Sequence, residues 1–258
     1  MPPSNPQTAR RDSARERARK LREAQARRER RTRIVIVGAV VALVALVAVF
    51  IAVVAGQAGR SSLDDVASPL GANDAGGIVV GVDGVGTPTP DAPSVAVYSD
   101  FLCPFCAMFE EVNGGMLEEL RASGEVTIVY HPVAFLDSLS NGTEFSTRAA
   151  EAAAVVADGA PEQFVDFWAA LFANQPEEDT PGLSDEEIAA IALDVGVPQD
   201  VVETFGQEQF AEWVAAASEQ AVRDLPRPAT PTVLVDGTVF EGDWTDPDLL
   251  RSAIVDAG

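Results

Sequence analysis

Residues 34 to 55, IVIVGAVVALVALVAVFIAVVA, are 22 consecutive positions without a charge, and Gly38 is the sole residue among them outside the apolar set. As a helix the run reaches about 33 Å, enough for the hydrocarbon core of a bilayer, and it offers no polar face to water. It is therefore predicted as a single transmembrane helix, and whatever folds in water must lie to one side of it. Residues 1 to 33 carry 12 Arg or Lys against four acids, while the rest of the chain carries six against 36, so the formal balance of -22 conceals a basic tail and a strongly acidic remainder. Arg27, Arg28, Arg30, Arg31 and Arg33 crowd the N-terminal flank, and Arg60 is the one basic residue soon after the span. This asymmetry predicts a cytoplasmic tail over 1–33, a signal anchor over 34–55 and an extracytoplasmic remainder, a single-pass protein of the cell membrane. Cleavage as a signal peptide is the competing reading, with Gly56-Gln57-Ala58 as a loose small-residue site, but the run is longer than the usual signal core. Arg30-Arg31 matches the pair of a twin-arginine signal, although no further features of that motif follow.

The tail has almost no apolar residues and cannot build a core, so it is expected as a disordered segment or a solvated helix near anionic headgroups. Nucleic-acid binding is disfavoured, because a remainder with six bases against 36 acids is repelled by phosphate and carries no basic stripe. From Gly56 to Pro93, Gly, Pro, Ser and Asp dominate without helical periodicity, which predicts a flexible linker over 56–93 in which GIVVGV at 77 to 82 is able to add an edge strand. The folded domain is then expected over 94–258, long enough for one substantial core and without internal repeats.

Within it, SVAVYSD (94 to 100) reads as a buried strand, Pro104 to Arg121 as a helix bent near Asn113-Gly114-Gly115, and VTIVYHPV (126 to 133) as a second strand. Strand, helix and strand at this spacing imply a right-handed βαβ unit with parallel strands. A helical insertion over about 143–225 follows, comprising STRAAEAAAVVADG, PEQFVDFWAALFANQ, SDEEIAAIALDVG and QEQFAEWVAAASEQAVRD; Ser184 and Glu187 form a capping box, and Gly196 lies just past that helix. PTVLVDGTVFEG closes the chain as two short strands about Asp236-Gly237, before a helix with Pro247 in its first turn. The predicted class is α/β in the order βαβ, helical block, ββα, preceded by one transmembrane helix.

Both cysteines of the chain, Cys103 and Cys106, lie in SDFLCPFCAMF. At the start of a helix this spacing permits a small disulfide, with the first thiol exposed at the helix N-terminus and the second facing the preceding turn. Pro104 suits a first turn. A thiolate at Cys103 is stabilised there by the helix dipole and by unpaired N–H groups, which makes it the attacking and leaving sulfur, and Cys106 the resolving one. Disulfide chemistry also belongs outside the cytosol. Two other readings stand beside this one. A structural disulfide closing so short a loop constrains the unfolded chain little. Metal binding wants about four ligands, and two cysteines with one distant histidine supply too few in one chain.

VYSDFLCPFCAMF, the inserted helical block and ATPTVLVDG together resemble the DsbA-like thiol-disulfide oxidoreductases of the thioredoxin superfamily, in particular the membrane-anchored type of Gram-positive and actinobacterial envelopes. The resemblance covers residues 94 to 258 and implies a thioredoxin-like fold. It also implies that Cys103 is the nucleophile, Cys106 the resolving thiol, and Pro231 a cis-proline that turns the Thr230 backbone towards the sulfurs. Its partners would be exported cysteine-containing proteins and a quinone-linked membrane re-oxidant of the DsbB or vitamin-K-epoxide-reductase type. No dissociable cofactor is implied, and a monomer is expected.

The chain departs from strongly oxidising members in having Phe105 where they commonly carry histidine, so a Cys103 pKa between about 3.5 and about 7 is expected. Thr230 before the proline also occurs in isomerases and does not settle direction. Two alternatives remain: an envelope reductase or isomerase using the same residues, and a non-catalytic adaptor on a thioredoxin-like scaffold. Asp100, three residues before Cys103, is a candidate proton relay to Cys106, or else a solvated acid or helix cap. Phe101, Pro104 and Phe105 are expected to frame a substrate groove, while Phe109 is assigned to the core. His131 is read as packed or edge-exposed, Trp168, Phe172, Phe210 and Trp213 as core and lid, and Glu177-Glu178-Asp179 as a solvated loop.

Overall fold

The structure, a computed structural model, describes residues 43–49, 63 and 66–258. The chain divides into two units, Met1–Arg60 and Ser61–Gly258. In the first, residues 43–49 are helical with exposed side chains. The expected tail and the rest of the expected span lie outside the described residues, among which no helix is long and apolar enough to cross a membrane.

The second unit is built on a six-stranded sheet. Its strands are β1 (Ile78–Gly81), β2 (Gly84–Val85), β3 (Ser94–Ser99), β4 (Thr127–Pro132), β5 (Thr232–Val235) and β6 (Thr238–Val239), in the spatial order β2-β1-β4-β3-β5-β6. β3 and β4 run parallel, joined by helix α1 (Pro104–Ala122), and β5 lies antiparallel on the other side of β3. This is the expected βαβ unit. Every residue of β4 is buried, in keeping with its β-branched run and its interior place in the sheet. β5 and β6 form the expected hairpin, whose turn holds Asp236 at φ 48° and Gly237 at φ 76°, the left-handed pair that a two-residue hairpin loop requires.

The expected flexible linker is corrected over its second half. β1 pairs antiparallel with β4 and β2 covers its outer side, so β1 is an interior strand rather than an added edge. Ile78 and Val80 are fully buried in the core. The strand read in GIVVGV is therefore present, within a segment otherwise expected to be flexible, and one of its glycines is needed for packing. A Cβ on Gly77 would stand 2.5 Å from the His131 Nε2 on β4. His131 itself is buried and stacked on Tyr98, with ring centroids 3.9 Å apart. Burial lowers its pKa to about 3, so it is neutral and structural.

Between β4 and β5 the chain forms the helical insertion: α2 (Phe145–Gly159), α3 (Phe164–Ala173), α4 (Asp185–Asp194), α5 (Gln199–Val202) and α6 (Ala211–Asp224). α4 starts with the expected capping box, in which Ser184 Oγ accepts from Glu187 N–H and the Glu187 carboxylate accepts from Ser184 N–H. Gly196 follows it at φ 89°. The short α5 was not expected. α6 begins four residues later than its apolar pattern suggests, because Gly206 and Glu208 take left-handed conformations that break the helix there. Trp168, Phe172, Phe210 and Trp213 are all buried in one core with the sheet and α1. The final helix, α7 (Pro247–Ala257), has Pro247 in its first turn and is capped by Asp246.

Candidate active site

The end of β3 leads through Asp100, Phe101 and Leu102 directly into Cys103, the N-cap of α1, with φ -77° and ψ 115°. An N-cap side chain accepts from the backbone N–H groups two and three positions on. Pro104 has no N–H to offer, so those donors belong to Phe105 and Cys106. The Cys103 thiol makes no cap hydrogen bond, but its thiolate draws on these two N–H groups, and no acidic residue in the first turn opposes a negative charge there. Both thiols are free, and the second lies one helical turn into α1 with no exposure at all.

On its far side Cys103 meets the loop before β5. The Thr230–Pro231 bond is cis, and the Cys103 thiol donates to the Thr230 carbonyl at 3.4 Å. As a thiolate, Cys103 accepts instead from the Cys106 thiol, the largest influence on its acidity. Burial opposes this, while Thr230 and the Cys106 and Phe105 N–H groups add to it, and its pKa falls from the ordinary thiol range to about 6. Cys106 moves the opposite way: burial raises it first, and its neighbour Cys103 raises it further. The pair thus separates into one thiolate and one held proton near neutral pH, as the assignment of nucleophile and resolving thiol requires.

This asymmetry sets an expected result. The alkylation rate of the reduced protein should rise with pH around a midpoint of about 6. Cys106→Ala, which removes the largest stabilising contact, should move the midpoint upward. A midpoint above about 8 in the unaltered protein would contradict the arrangement, since that is where an unperturbed thiol titrates. The linkage has a definite sign. The folded pKa lies below the unfolded one, so the thiolate's contribution to the reduced state is present above the ordinary thiol pKa and lost as pH falls through about 6.

Three expectations are corrected. Cys103 is not an exposed thiol, with only 5% of its surface accessible. Gln175, two residues past the end of α3, donates through Nε2 to the carbonyls of Phe101 and Cys103, both at 2.9 Å. Phe101 frames no groove. It is fully buried, with its ring centroid 4.8 Å from those of Trp168 and Phe172, so the insertion covers the residue that the local sequence left looking solvent-facing. Asp100 is neither solvated nor a cap of α1. Its Oδ1 accepts from Leu102 N–H at 2.8 Å and from the Ser146 hydroxyl at 2.7 Å, and its Oδ2 from the N–H groups of Phe135 and Leu136 at 2.7 and 2.9 Å. Burial pushes its pKa up against the pull of those four donors. Cys106 is not among the partners of the carboxylate, and interacts with the Asp100 backbone instead.

Other assignments stand as expected in position. Pro104 is exposed in the first turn, and Phe105 is 60% exposed beside Cys103, with Met108 at 44%. These give the mouth of the site an apolar rim. Phe109 is core, packed against Trp244. Gln175 and Ser146 were missed by sequence reasoning. They lie 72 and 43 positions beyond Cys103, Gln175 two residues past the end of α3 and Ser146 in α2, and neither belongs to a local motif.

Residues 85–256 match the family model described as thioredoxin. Among solved structures, the chain is similar to a disulfide bond oxidoreductase, DsbG, from Mycobacterium tuberculosis in its reduced form, at 32% identity and a TM-score of 0.61, over 72% of this chain and 89% of that one. It is also similar to oxidised DsbA of the same organism, at 33% identity and a TM-score of 0.60, over 70% of this chain and 92% of that one. Among curated sequences it resembles the serine/threonine-protein kinase PknE of M. tuberculosis, 31% identical over 119 residues, or 44% of this chain. The chain spans about a fifth of the length of that relative.

Proposed function

The chain belongs to the thioredoxin family and is a thiol-disulfide oxidoreductase, and from that premise we propose that it donates a Cys103–Cys106 disulfide to exported proteins. The observation that carries the proposal is the placement of the Cys103 sulfur as the N-cap of α1, facing Thr230 across the site. A substrate thiolate attacks Cys103, the bond to Cys106 breaks, and Cys106 leaves as a thiolate that takes up a proton because burial disfavours its charge. The second substrate thiolate then attacks the substrate sulfur of the mixed disulfide and displaces Cys103, whose low pKa makes it a good leaving group. Two electrons pass to the protein and two thiols become one disulfide.

Thr230 and Pro231 would receive the substrate chain beside the sulfur, and Phe105 with Pro104 would give it an apolar surface. Asp100 joins β3, the loop after β4 and α2 beneath the site, which supports a positioning role. Re-oxidation would fall to a quinone-linked membrane protein, with residues 34–55 keeping the domain at the extracytoplasmic face of the membrane. We take the working unit to be a monomer.

Direction is tested by the equilibrium reduction potential in glutathione buffers. Stabilising the Cys103 thiolate favours the reduced form, so the expected potential lies above about -200 mV, towards the disulfide donors near about -120 mV. A value near about -270 mV would overturn donation and mark a reductant.

A further inference from the structure

Five arginines lie among the described residues. Four have carboxylate partners: Arg121 with Glu118, Arg148 with Asp185, Arg223 with Glu219 and Arg251 with Glu119. Arg227 alone among them has none, in a chain whose residues beyond 33 hold 36 acids. Its place is equally distinct. It lines a groove of about 330 Å³ together with Pro231, Phe240 and Trp244. Its lining flanks Thr230 on both sides, at Ala229 and Pro231, and the Thr230 carbonyl accepts from the Cys103 thiol at 3.4 Å. Glu241 lines the same groove but forms no ion pair with Arg227.

The loop holds this cation in readiness. Pro226 fixes its own backbone, and Pro228 steers Arg227 towards the extended region, so the residue sits in a stiff segment. The Thr232 hydroxyl donates to the Ala229 carbonyl at 2.6 Å and ties the loop to the start of β5. A partner bound here therefore has little backbone ordering left to bring about.

We propose that Arg227 is a specificity-determining residue that selects polypeptides carrying a carboxylate side chain beside the reacting cysteine. The inference rests on the exchange reading above and deepens it. An apolar wall of Phe240 and Trp244 takes the chain, and the unpaired guanidinium reads the acid. The acidic balance beyond residue 33 repels such a substrate at long range, so Arg227 supplies a local attraction that the other described arginines, each paired with a carboxylate, do not.

The test uses the full chain carrying Cys106→Ser, which cannot resolve an adduct. It is offered an equal mixture of two peptides, each activated as a mixed disulfide with an aromatic thiol and differing only in Asp or Asn flanking the cysteine. Cys103 thiolate attacks the peptide sulfur, the aromatic thiolate leaves, and the captured ratio is read by mass spectrometry. This readout is independent of the physiological direction of electron flow. At low ionic strength the Asp peptide is expected in about threefold excess, the scale of one exposed ion pair. The excess should vanish in Arg227→Gln, persist in Arg227→Lys, hold or grow in Glu241→Gln, and shrink at about 0.5 M salt. Equal capture by the Cys106→Ser protein, or an excess unchanged by Arg227→Gln, overturns the proposal while leaving the exchange reading intact. Failure to capture either peptide overturns both.

Discussion

Cys103→Ser is expected to reduce oxidation of a dithiol peptide to the rate without protein, while Cys106→Ser, offered a peptide as a mixed disulfide with an aromatic thiol, attacks the peptide sulfur through Cys103, releases the aromatic thiolate and stops as a covalent adduct. The two outcomes follow from where the sulfurs sit. Cys103 occupies the N-cap of α1, and serine is among the best residues for that position, so the helix start survives the substitution. What disappears is a group ionising at about 6, since a hydroxyl there carries no thiolate near neutral pH. Loss of activity with an unchanged unfolding midpoint therefore isolates the chemistry from the fold. Cys106 is buried behind it and its substitution leaves the attacking sulfur in place. An adduct observed by non-reducing mass spectrometry with Cys106→Ser, and absent with Cys103→Ser, fixes the order of attack. Retention of full cellular function by Cys103→Ser would instead favour the adaptor reading.

The attacking chemistry was legible because its determinants are local. Two cysteines three apart, a proline between them and an apolar strand before them suffice to set a helix N-terminus under a thiol. The hairpin at Asp236-Gly237 and the capping box at Ser184 were legible for the same reason. What failed to show were contacts made across the insertion. Phe101 follows a strand in a short loop, where exposure is the ordinary expectation, yet Trp168 and Phe172 close over it from α3. Gln175 carries no signal at all, because its role consists of two backbone carbonyls that the chain brings to it only when α3 packs. β1 was obscured differently. GIVVGV showed as a possible strand, but not as an interior one, because the strand that covers its outer side, Gly84–Val85, is two residues long and too short to leave a pattern.

Asp100→Ala is expected to destabilise the protein by roughly 3–5 kcal/mol, since several buried donors lose their acceptor at about 1–3 kcal/mol each, and to lower its unfolding temperature by about 10 °C. The reason lies in the four donors that end on this one carboxylate. Without it, the N–H groups of Leu102, Phe135 and Leu136 lose their acceptor in the interior, and the Ser146 hydroxyl must find another. Asp100→Asn should cost less but not nothing. Its amide hydrogens must face either the two N–H groups at Phe135 and Leu136, or Leu102 N–H and Ser146. The second orientation is the cheaper, because a hydroxyl can rotate to accept and a backbone N–H cannot. The order wild type, Asn, Ala in thermal unfolding is thus the signature of a positioning residue that ties β3, the loop after β4 and α2 together under Cys103. A relay residue would leave a different trace. Asp100→Asn would then unfold at the wild-type temperature while the pH profile of adduct resolution by Cys106 flattened, and that pair of results would return the proton-transfer role to this carboxylate.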